Sequence, residues 1–249
     1  MGVLLNMACL ASAGARRIPG GLRVKALTDA HLATLRRHMV EVIEIGYDLA
    51  ADEIGAASLD PRLREVLLRI PRHRFVPDPL LPFAYSDQPL PVGFDKTISQ
   101  PFMSALMIDL LRLGPGDRVL EIGTGLGYQT ALLSRLAAAV WSVDVVEEFV
   151  LSAAERLRAL ELTNITLRVG DGGRGWSDEA PFDAILVSAA VRTLPMALAG
   201  QLAPGGRMVL PLGGGDGGQR LVRVDRSGDA EVTLAEIMPV QFTDLETVI

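Results

Sequence analysis

The sequence is poor in the residues that build disulfide scaffolds and metal centres. Its 249 residues include one cysteine, Cys9, and three histidines that are scattered without ligand spacing. One thiol forms no internal disulfide and supplies no multi-cysteine metal site. We therefore predict that the protein binds no metal and occupies a reducing compartment, the cytoplasm.

Excess positive charge and long apolar runs are also missing. The 24 Lys and Arg residues are outnumbered by 30 Asp and Glu residues, so the formal net charge is -6, and no basic run reaches five residues. Such a chain is a poor candidate for sequence-independent binding to nucleic acid. No apolar stretch is long enough to span a bilayer. We therefore expect neither nucleic acid nor a membrane as a partner, and the sequence leaves the oligomeric state open.

Residues 1–30 are predicted to form a leader that precedes the folded part. Their apolar segment ends in the small-residue stretch ASAGA, as in a signal peptide, but Arg16 and Arg17 follow the apolar part instead of preceding it. We therefore favour a flexible or weakly helical leader over a signal peptide. Met7 and Met39 are alternative starts.

The remaining chain divides into a helical part, a proline-rich part and an alternating part. Apolar residues recur at helical spacing over residues 27–55, and Pro61 after the capping residue Asp60 predicts a helix over 61–70. Residues 71–102 contain seven prolines and predict a functional loop with short strands. We place 31–102 and 103–249 in one integrated domain, in which 31–102 provide the N-terminal helices and the substrate loop.

From residue 103 onward, predicted strands alternate with predicted helices. The strands are expected at 118–123, 140–145, 165–171, 182–190 and 207–213, and the helices at 103–113, 127–137, 147–160 and 194–202. The last strand follows a predicted turn, APGG, and the tail alternates like antiparallel strands. This order predicts an α/β fold with a mostly parallel central sheet, N-terminal helices and C-terminal antiparallel strands.

The segment EIGTGLGYQT, residues 121–130, follows the first predicted strand and contains Gly123, Gly125 and Gly127. In an open α/β sheet this strand-to-helix turn lies where ligands bind, and glycine lets the backbone approach them closely. A dinucleotide fingerprint would continue with a further glycine where this chain has Tyr128. The turn therefore suits a smaller ligand that carries a carboxylate and an amine.

Three acidic residues end successive predicted strands. Glu121 is expected to accept a hydrogen bond from an ammonium group. Asp144, 17 residues after Gly127, is expected to accept ribose hydroxyls, and Asp171 to meet an adenine amine. Each acid alone could be a helix N-cap. Together they describe S-adenosylmethionine.

Seven segments give the chain a resemblance to the protein-L-isoaspartate O-methyltransferases between about residues 71 and 242. They are PRHRFVP, AYSDQPLPVG, TISQPFM, EIGTGLGYQT, GDGGRGW, APFDAILVSAA and QLAPGGRMVLPLG. The resemblance implies a Rossmann-like class I methyltransferase sheet with additional strands. It also implies methyl transfer from S-adenosylmethionine to the α-carboxylate of L-isoaspartyl residues in damaged proteins or peptides.

The resemblance further implies a site, with Ser99 as its active-site residue. Ser99 could also cap the helix that follows it, and a capping serine can still border the site. The substrate loop is implied at Thr97, Ile98, Gln100 and Pro101. The cofactor-binding residues are predicted to be Glu121, Gly123, Thr124, Gly125, Gly127, Asp144, Asp171 and Gly172. Asp144 stands where the family usually has glutamate, and the shorter side chain still reaches a ribose.

The implied reaction needs little acid–base chemistry. A substrate carboxylate is already ionised at neutral pH, so the protein's task is to position it. Residues 44–63 depart from the family pattern, which leaves open a relative that methylates aspartate in a dedicated biosynthetic peptide. A non-catalytic cofactor-binding module and a small-molecule methyltransferase are further alternatives, and the TISQP segment argues against both.

Overall fold

The computed structural model describes residues 28–228 and 231–247. The predicted leader, with Cys9 and Met7, therefore lies almost entirely outside the described residues. The helices are α1 Asp29–Leu49, α2 Ala51–Ile54, α3 Pro61–Arg69, α4 Pro101–Leu110, α5 Tyr128–Ser134, α6 Glu147–Arg158 and α7 Met196–Ala199. The strands are β1 Leu90–Gly93, β2 Lys96–Ile98, β3 Arg118–Ile122, β4 Ala139–Asp144, β5 Ile165–Val169, β6 Phe182–Val187, β7 Leu202–Gly213, β8 Gln219–Ser227 and β9 Glu231–Val240.

Seven strands form one sheet in the order β5-β4-β3-β6-β7-β8-β9. Pairing is parallel from β5 to β7 and antiparallel for β7 with β8 and for β8 with β9. This confirms the mostly parallel sheet with antiparallel C-terminal strands. The chain moves outward from β3 to β4 and β5, then returns to the other side of β3 with β6. The carboxyl ends of β3, β4 and β6 are therefore the expected place for a ligand.

The central strands are apolar because both faces of the sheet are covered. In β3, Val119 belongs to the same buried cluster as Ile43 and Leu67 of the N-terminal helices, while Leu120 belongs to the cluster on the opposite face, together with Val187. Parallel strands covered on both faces read as nearly continuous apolar runs. The α1–α3 helices thus contribute to the same core as the sheet.

The N-terminal helices begin where capping residues predict. The Thr28 side chain accepts the His31 backbone N–H at the start of α1, and Asp60 accepts the Arg62 N–H at 2.6 Å before Pro61 opens α3. Such caps satisfy backbone donors that have no partner within the helix. Within the part of the chain that the structure describes, no helix is long and apolar enough to cross a membrane.

Residues 71–102 form the predicted ordered loop with two short strands. Two 3-10 helices, Arg72–Phe75 and Asp78–Phe83, precede the antiparallel pair of β1 and β2. The next helix, α4, starts at Pro101, and Gln100 occupies its N-cap position. Ser99 is therefore not the N-cap, and the capping interpretation is wrong. Asp87 instead accepts the Phe102 backbone N–H at 2.7 Å.

The predicted boundaries are wrong around α7 and β7. The helix expected over 194–202 covers only Met196–Ala199, and β7 begins at Leu202 instead of Arg207. The predicted APGG turn lies inside β7, where the register with β6 shifts between the pairs made by Phe182 and Ala184. Pairing of Leu202 with Phe182 extends the strand through a segment whose local sequence favours a turn.

Candidate active site

A cleft opens at the carboxyl ends of β3, β4 and β6. We call one side the sheet wall. It consists of Ile122, Gly123, Thr124, Gly125, Leu126, Tyr128, Gln129, Val143, Asp144, Val145, Phe149, Gly172, Ser188 and Ala189. We call the other side the loop wall. It consists of Val92, Lys96, Thr97, Ile98, Ser99 and residues 243–246.

The glycine turn forms the centre of the sheet wall. Gly125 has a φ of +52°, and a Cβ atom added there would meet nothing within 4 Å, so bare backbone faces open space. Gly127 also has positive φ, but an added Cβ would lie 3.1 Å from the Ala153 Cβ. Gly123, Thr124 and Gly125 therefore line the cleft as predicted, whereas Gly127 permits close packing of the turn on α6.

Asp144 joins the glycine turn to the end of β4. Its Oδ2 accepts the Gly125 N–H at 2.8 Å, and its Oδ1 accepts the Val146 N–H at 2.9 Å. Burial raises the pKa of Asp144, while the two N–H donors and the nearby Lys96 oppose that rise. The side chain lines the cleft, and each carboxylate oxygen has lone-pair capacity left for a hydroxyl donor.

Glu121 lies beneath the cleft instead of lining it. The residue is fully buried, and its Oε2 accepts hydrogen bonds from Thr130 Oγ1 at 2.5 Å and Ser142 Oγ at 2.6 Å. Ser142 Oγ in turn lies 2.6 Å from Thr124 Oγ1, which reaches the sheet wall. Burial raises the pKa of Glu121 to about 7. This network supports the turn from below, while Glu121 Oε1 has no hydrogen-bond partner among the described residues. The contact of Glu121 with an ammonium group stays a prediction.

Asp171 also serves the local backbone. Its Oδ1 accepts the Gly173 N–H at 2.8 Å and caps a short 3-10 helix, and its Oδ2 lies 3.6 Å from Arg174 Nε. The next residue, Gly172, lines the cleft, but the Asp171 side chain does not. The capping alternative describes this arrangement, and the contact with adenine stays a prediction.

Ser99 stands on the loop wall directly after β2. Thr97, Ile98 and Ser99 line the cleft, while Gln100 and Pro101 do not, because the chain turns there into α4. Pairing of Ile98 with Leu90 attaches this segment to β1. The fold thus brings the serine loop and the glycine turn, which the sequence separates, into the lining of one cleft.

The sequence did not identify the C-terminal contribution to the loop wall. Ala190 and residues 243–245 exchange two backbone hydrogen bonds of 2.8 Å, which carry the segment across the carboxyl end of β6. There the Glu246 carboxylate forms an ion pair with Lys96, and both residues line the cleft. Within the described ranges, no group of three or more His, Cys, Asp or Glu residues could hold a metal ion.

Comparison with known proteins identifies the family of this chain. The family described as protein-L-isoaspartate(D-aspartate) O-methyltransferase matches residues 50–247. The chain belongs to this family.

Named relatives cover most of the chain. Protein-L-isoaspartate O-methyltransferase 1 of Polaromonas sp. strain JS666 is 44% identical over 88% of this chain and 93% of its own length. Protein-L-isoaspartate O-methyltransferase of Anaeromyxobacter dehalogenans is 50% identical over 75% of this chain and 90% of its own. The family match includes most of residues 44–63, the region that departs from the expected pattern.

Solved structures confirm the Rossmann-like fold. A protein-L-isoaspartate O-methyltransferase of 26% identity has a TM-score of 0.71 over 84% of this chain, which spans 65% of that structure. A Plasmodium falciparum protein, solved in complex with S-adenosyl-L-homocysteine, has a TM-score of 0.69 at 21% identity, over 86% of this chain and 97% of its own. In the present chain, the open backbone at Gly125 and the carboxylate of Asp144 fit a nucleoside cofactor with an amino-acid tail.

Proposed function

We propose that this chain transfers a methyl group from S-adenosylmethionine to the α-carboxylate of L-isoaspartyl residues in damaged proteins or peptides. The ester leads to a succinimide and so to repair of the peptide bond. The observation that carries the proposal is that Ser99, the glycine turn and Asp144 line one cleft. Membership of the family and relatives that carry this activity in their names support the same conclusion.

The sheet wall holds the cofactor in this proposal. Backbone groups around Gly123 and Gly125 bind its amino-acid part, the Asp144 carboxylate binds the ribose hydroxyls, and the backbone at Gly172 lies beside the base. Asp171 Oδ1 caps the 3-10 helix, and its Oδ2 is left to accept a hydrogen bond from the adenine amine. When bound, S-adenosylmethionine supplies an electrophilic methyl group. Glu121 supports the turn through Thr130 and Ser142, and its Oε1, unpaired within the described part of the chain, is the atom that would accept a hydrogen bond from the ammonium group.

The loop wall holds the substrate carboxylate. The Ser99 hydroxyl donates one hydrogen bond to a carboxylate oxygen and leaves the other oxygen to attack. No general base is needed, because the carboxylate is already ionised near neutral pH. The protein contributes orientation, which is worth several kcal/mol in well-aligned systems. Thr97 and Ile98 complete the surface next to Ser99 and help to exclude water from the reacting groups.

Steps after methyl transfer need no protein group. The peptide nitrogen that follows the modified residue attacks the ester carbonyl, loses its proton and releases methanol, which gives the succinimide. Water then opens the ring to aspartyl or isoaspartyl products. We also propose the cytoplasmic location that the single cysteine indicates, with isoaspartyl proteins or peptides as the partners.

The proposal is tested with labelled S-adenosylmethionine and two peptides that differ only in an Asp or an isoAsp residue. We expect methyl transfer to the isoaspartyl peptide at a rate at least a hundredfold above that for the aspartyl peptide. Preference for the aspartyl peptide would instead indicate the dedicated biosynthetic activity. Cofactor binding without transfer to either peptide would contradict both and favour a binding module.

A further inference from the structure

Arg72 is fully buried, although an arginine side chain keeps its charge at any physiological pH. It opens the 3-10 helix Arg72–Phe75, behind the loop wall. Its Nε donates to the Ala84 carbonyl at 2.9 Å, and its Nη2 donates to the Ser99 carbonyl at 2.8 Å. Its Nη1 has no hydrogen-bond partner among the described residues. The cation thus bonds to carbonyl groups and not to a carboxylate.

Such a cation is expensive to bury. Removing a charge from water costs several kcal/mol unless a partner compensates, and burial accordingly lowers the pKa of Arg72. Apolar side chains of similar volume would fill this space at a lower cost in folding free energy. The presence of an arginine at this position therefore calls for a role beyond filling the core.

The contacts of Arg72 reach both sides of the cleft. On the loop wall it holds the Ser99 carbonyl. On the sheet wall its guanidinium lies 4.9 Å from the centroid of the Tyr128 ring, a distance at which a cation and an aromatic face attract. Tyr128 starts α5 directly after the glycine turn and lines the cleft. The Arg72 side chain therefore contacts both the segment that holds Ser99 and Tyr128, the first residue of α5.

We infer that Arg72 is a positioning residue for methyl transfer, which fixes the Ser99 loop relative to the glycine turn. This inference rests on the proposed function. Arg72 acts through the backbone of Ser99, so it determines where the serine hydroxyl stands without touching the substrate. Displacement of a reacting group by about 1 Å is enough to cost a hundredfold in rate.

Arg207 offers a matched control. It is also largely buried and donates to backbone carbonyls, including that of Asp183 at 3.0 Å, but it forms an ion pair with Asp117. It lies at the opposite end of the sheet and lines neither wall. Arg207→Met should therefore reduce stability without displacing Ser99, whereas Arg72→Met should do both.

The kinetic test compares Arg72→Met, Arg72→Lys and Arg207→Met in the full chain with the isoaspartyl peptide. We expect Arg72→Met to lower kcat tenfold or more, with the Kd for S-adenosylhomocysteine changed less than threefold. Arg72→Lys keeps the cation and can donate to one of the two carbonyl groups. Its kcat should be at least threefold higher than that of Arg72→Met. Arg207→Met should keep kcat within twofold.

A second background separates positioning from general damage. In Ser99→Ala protein the hydroxyl that Arg72 positions is absent, so Arg72→Met should cost threefold or less in kcat. Equal losses in the two backgrounds would overturn the inference. So would an Arg207→Met loss as large as that of Arg72→Met. If Arg72→Met does not fold, Arg72→Lys makes the same comparison, and an unchanged kcat for Arg72→Lys would then overturn it.

Hydrogen exchange gives a measurement that does not use the reaction. Backbone amides of residues 97–100 should exchange at least tenfold faster in Arg72→Met, or in Arg72→Lys if only that variant folds, and at the wild-type rate in Arg207→Met. Unchanged exchange in the Arg72 variants would refute the positioning role. If the variants show this exchange pattern but the wild-type protein transfers no methyl group to isoaspartyl peptides, the proposed function alone is refuted.

Discussion

The two walls of the cleft are built by different means. The sheet wall continues β3 and β4, and its geometry comes from backbone bonds such as Gly123 N–H to the Val143 carbonyl at 2.8 Å. Below it the Glu121 network is entirely buried. The parts of the loop wall have backbone bonds of their own, β1 with β2 and residues 243–245 with Ala190. Side chains join these parts to each other and to the core, among them Arg72 at the Ser99 carbonyl and Lys96 in its ion pair with Glu246.

This difference separates binding of the cofactor from alignment of the substrate. A wall made of backbone keeps its shape when single side chains change, unless an acid that bonds to that backbone is removed. A wall held by side chains loses alignment when one contact is lost. Substitutions in the sheet wall should therefore change stability and cofactor affinity, and substitutions in the loop wall should change turnover.

The strongest test of the sheet wall uses the buried carboxyl of Glu121, with its pKa of about 7. As pH rises from about 4.5 to 7, the unfolded chain releases this proton while the folded protein retains it, so wild-type stability falls. Glu121→Gln cannot ionise and lacks this loss. We expect the free energy of unfolding of the variant, relative to wild type, to rise by about 3 kcal/mol between pH 4.5 and pH 8.

Urea unfolding of both proteins at the two pH values checks this expectation. Asp109, whose pKa is also raised by burial, occurs in both proteins and cancels in the difference. A stability difference that is the same at both pH values would mean that Glu121 does not titrate in this range.

Asp144 tests whether cofactor affinity resides in the sheet wall. Asp144→Ala removes the acceptor of the Gly125 and Val146 N–H groups together with the proposed ribose contact. Hydrogen bonds to a charged group are worth about 1.5–3 kcal/mol. We expect the Kd for S-adenosylhomocysteine, measured by calorimetry, to rise about fiftyfold, or about 2.3 kcal/mol.

Asp183 is the matched control for Asp144. Its Oδ2 accepts the Arg118 N–H at 2.8 Å, at the opposite end of β3 and away from the cleft. Asp183→Ala should keep the Kd within twofold of wild type. If both variants lost affinity equally, the effect of Asp144 would be general destabilisation of the sheet.

The sheet and the backbone part of the site could be predicted from the sequence because they depend on local patterns. Apolar strands that alternate with helices specify a parallel sheet, and the turn after β3 has its position fixed by that sheet. The β7 boundary could not be predicted, because pairing of Leu202 with Phe182 decides it across 20 residues of chain. Ser99 was identified through the resemblance of its loop and not through periodicity.

The directions and partners of side chains were the part that the sequence could not supply. Glu121 stands in a strand that is buried on both faces, so alternation gives no indication of which way its carboxylate points. Lys96 and Glu246 meet across 150 residues of sequence. The role of Arg72 depends on two contacts made after the chain has folded. Each of these requires the tertiary structure.

Ser99 tests the loop wall directly. Ser99→Ala should lower kcat for the isoaspartyl peptide tenfold or more, about 1.4 kcal/mol, because one hydrogen bond to the substrate carboxylate is lost. The Kd for S-adenosylhomocysteine should stay within twofold, since the sheet wall is intact. Steady-state kinetics and calorimetry measure the two quantities separately.

Ser104 on α4 provides the control for Ser99. It is buried five residues further along the chain, outside the cleft, and its hydroxyl has no partner in the described structure. Ser104→Ala should keep kcat within twofold. An unchanged kcat in Ser99→Ala, or a larger effect on cofactor affinity than on turnover, would remove Ser99 from substrate alignment.

The smallest effect is expected for the Lys96–Glu246 ion pair, which joins the two parts of the loop wall. Its carboxylate is more than half exposed, and such pairs contribute about 1 kcal/mol or less. Lys96→Met and Glu246→Gln should each raise KM for the peptide about threefold at low salt. The double variant should lose no more than either single one, because both changes break the same contact. Salt should raise the wild-type KM towards that of the variants.

Glu236→Gln, which breaks the ion pair with Arg220 between β8 and β9, is the control and should have no effect on KM. Additive losses from the two single variants would show that Lys96 and Glu246 act independently and not through their ion pair.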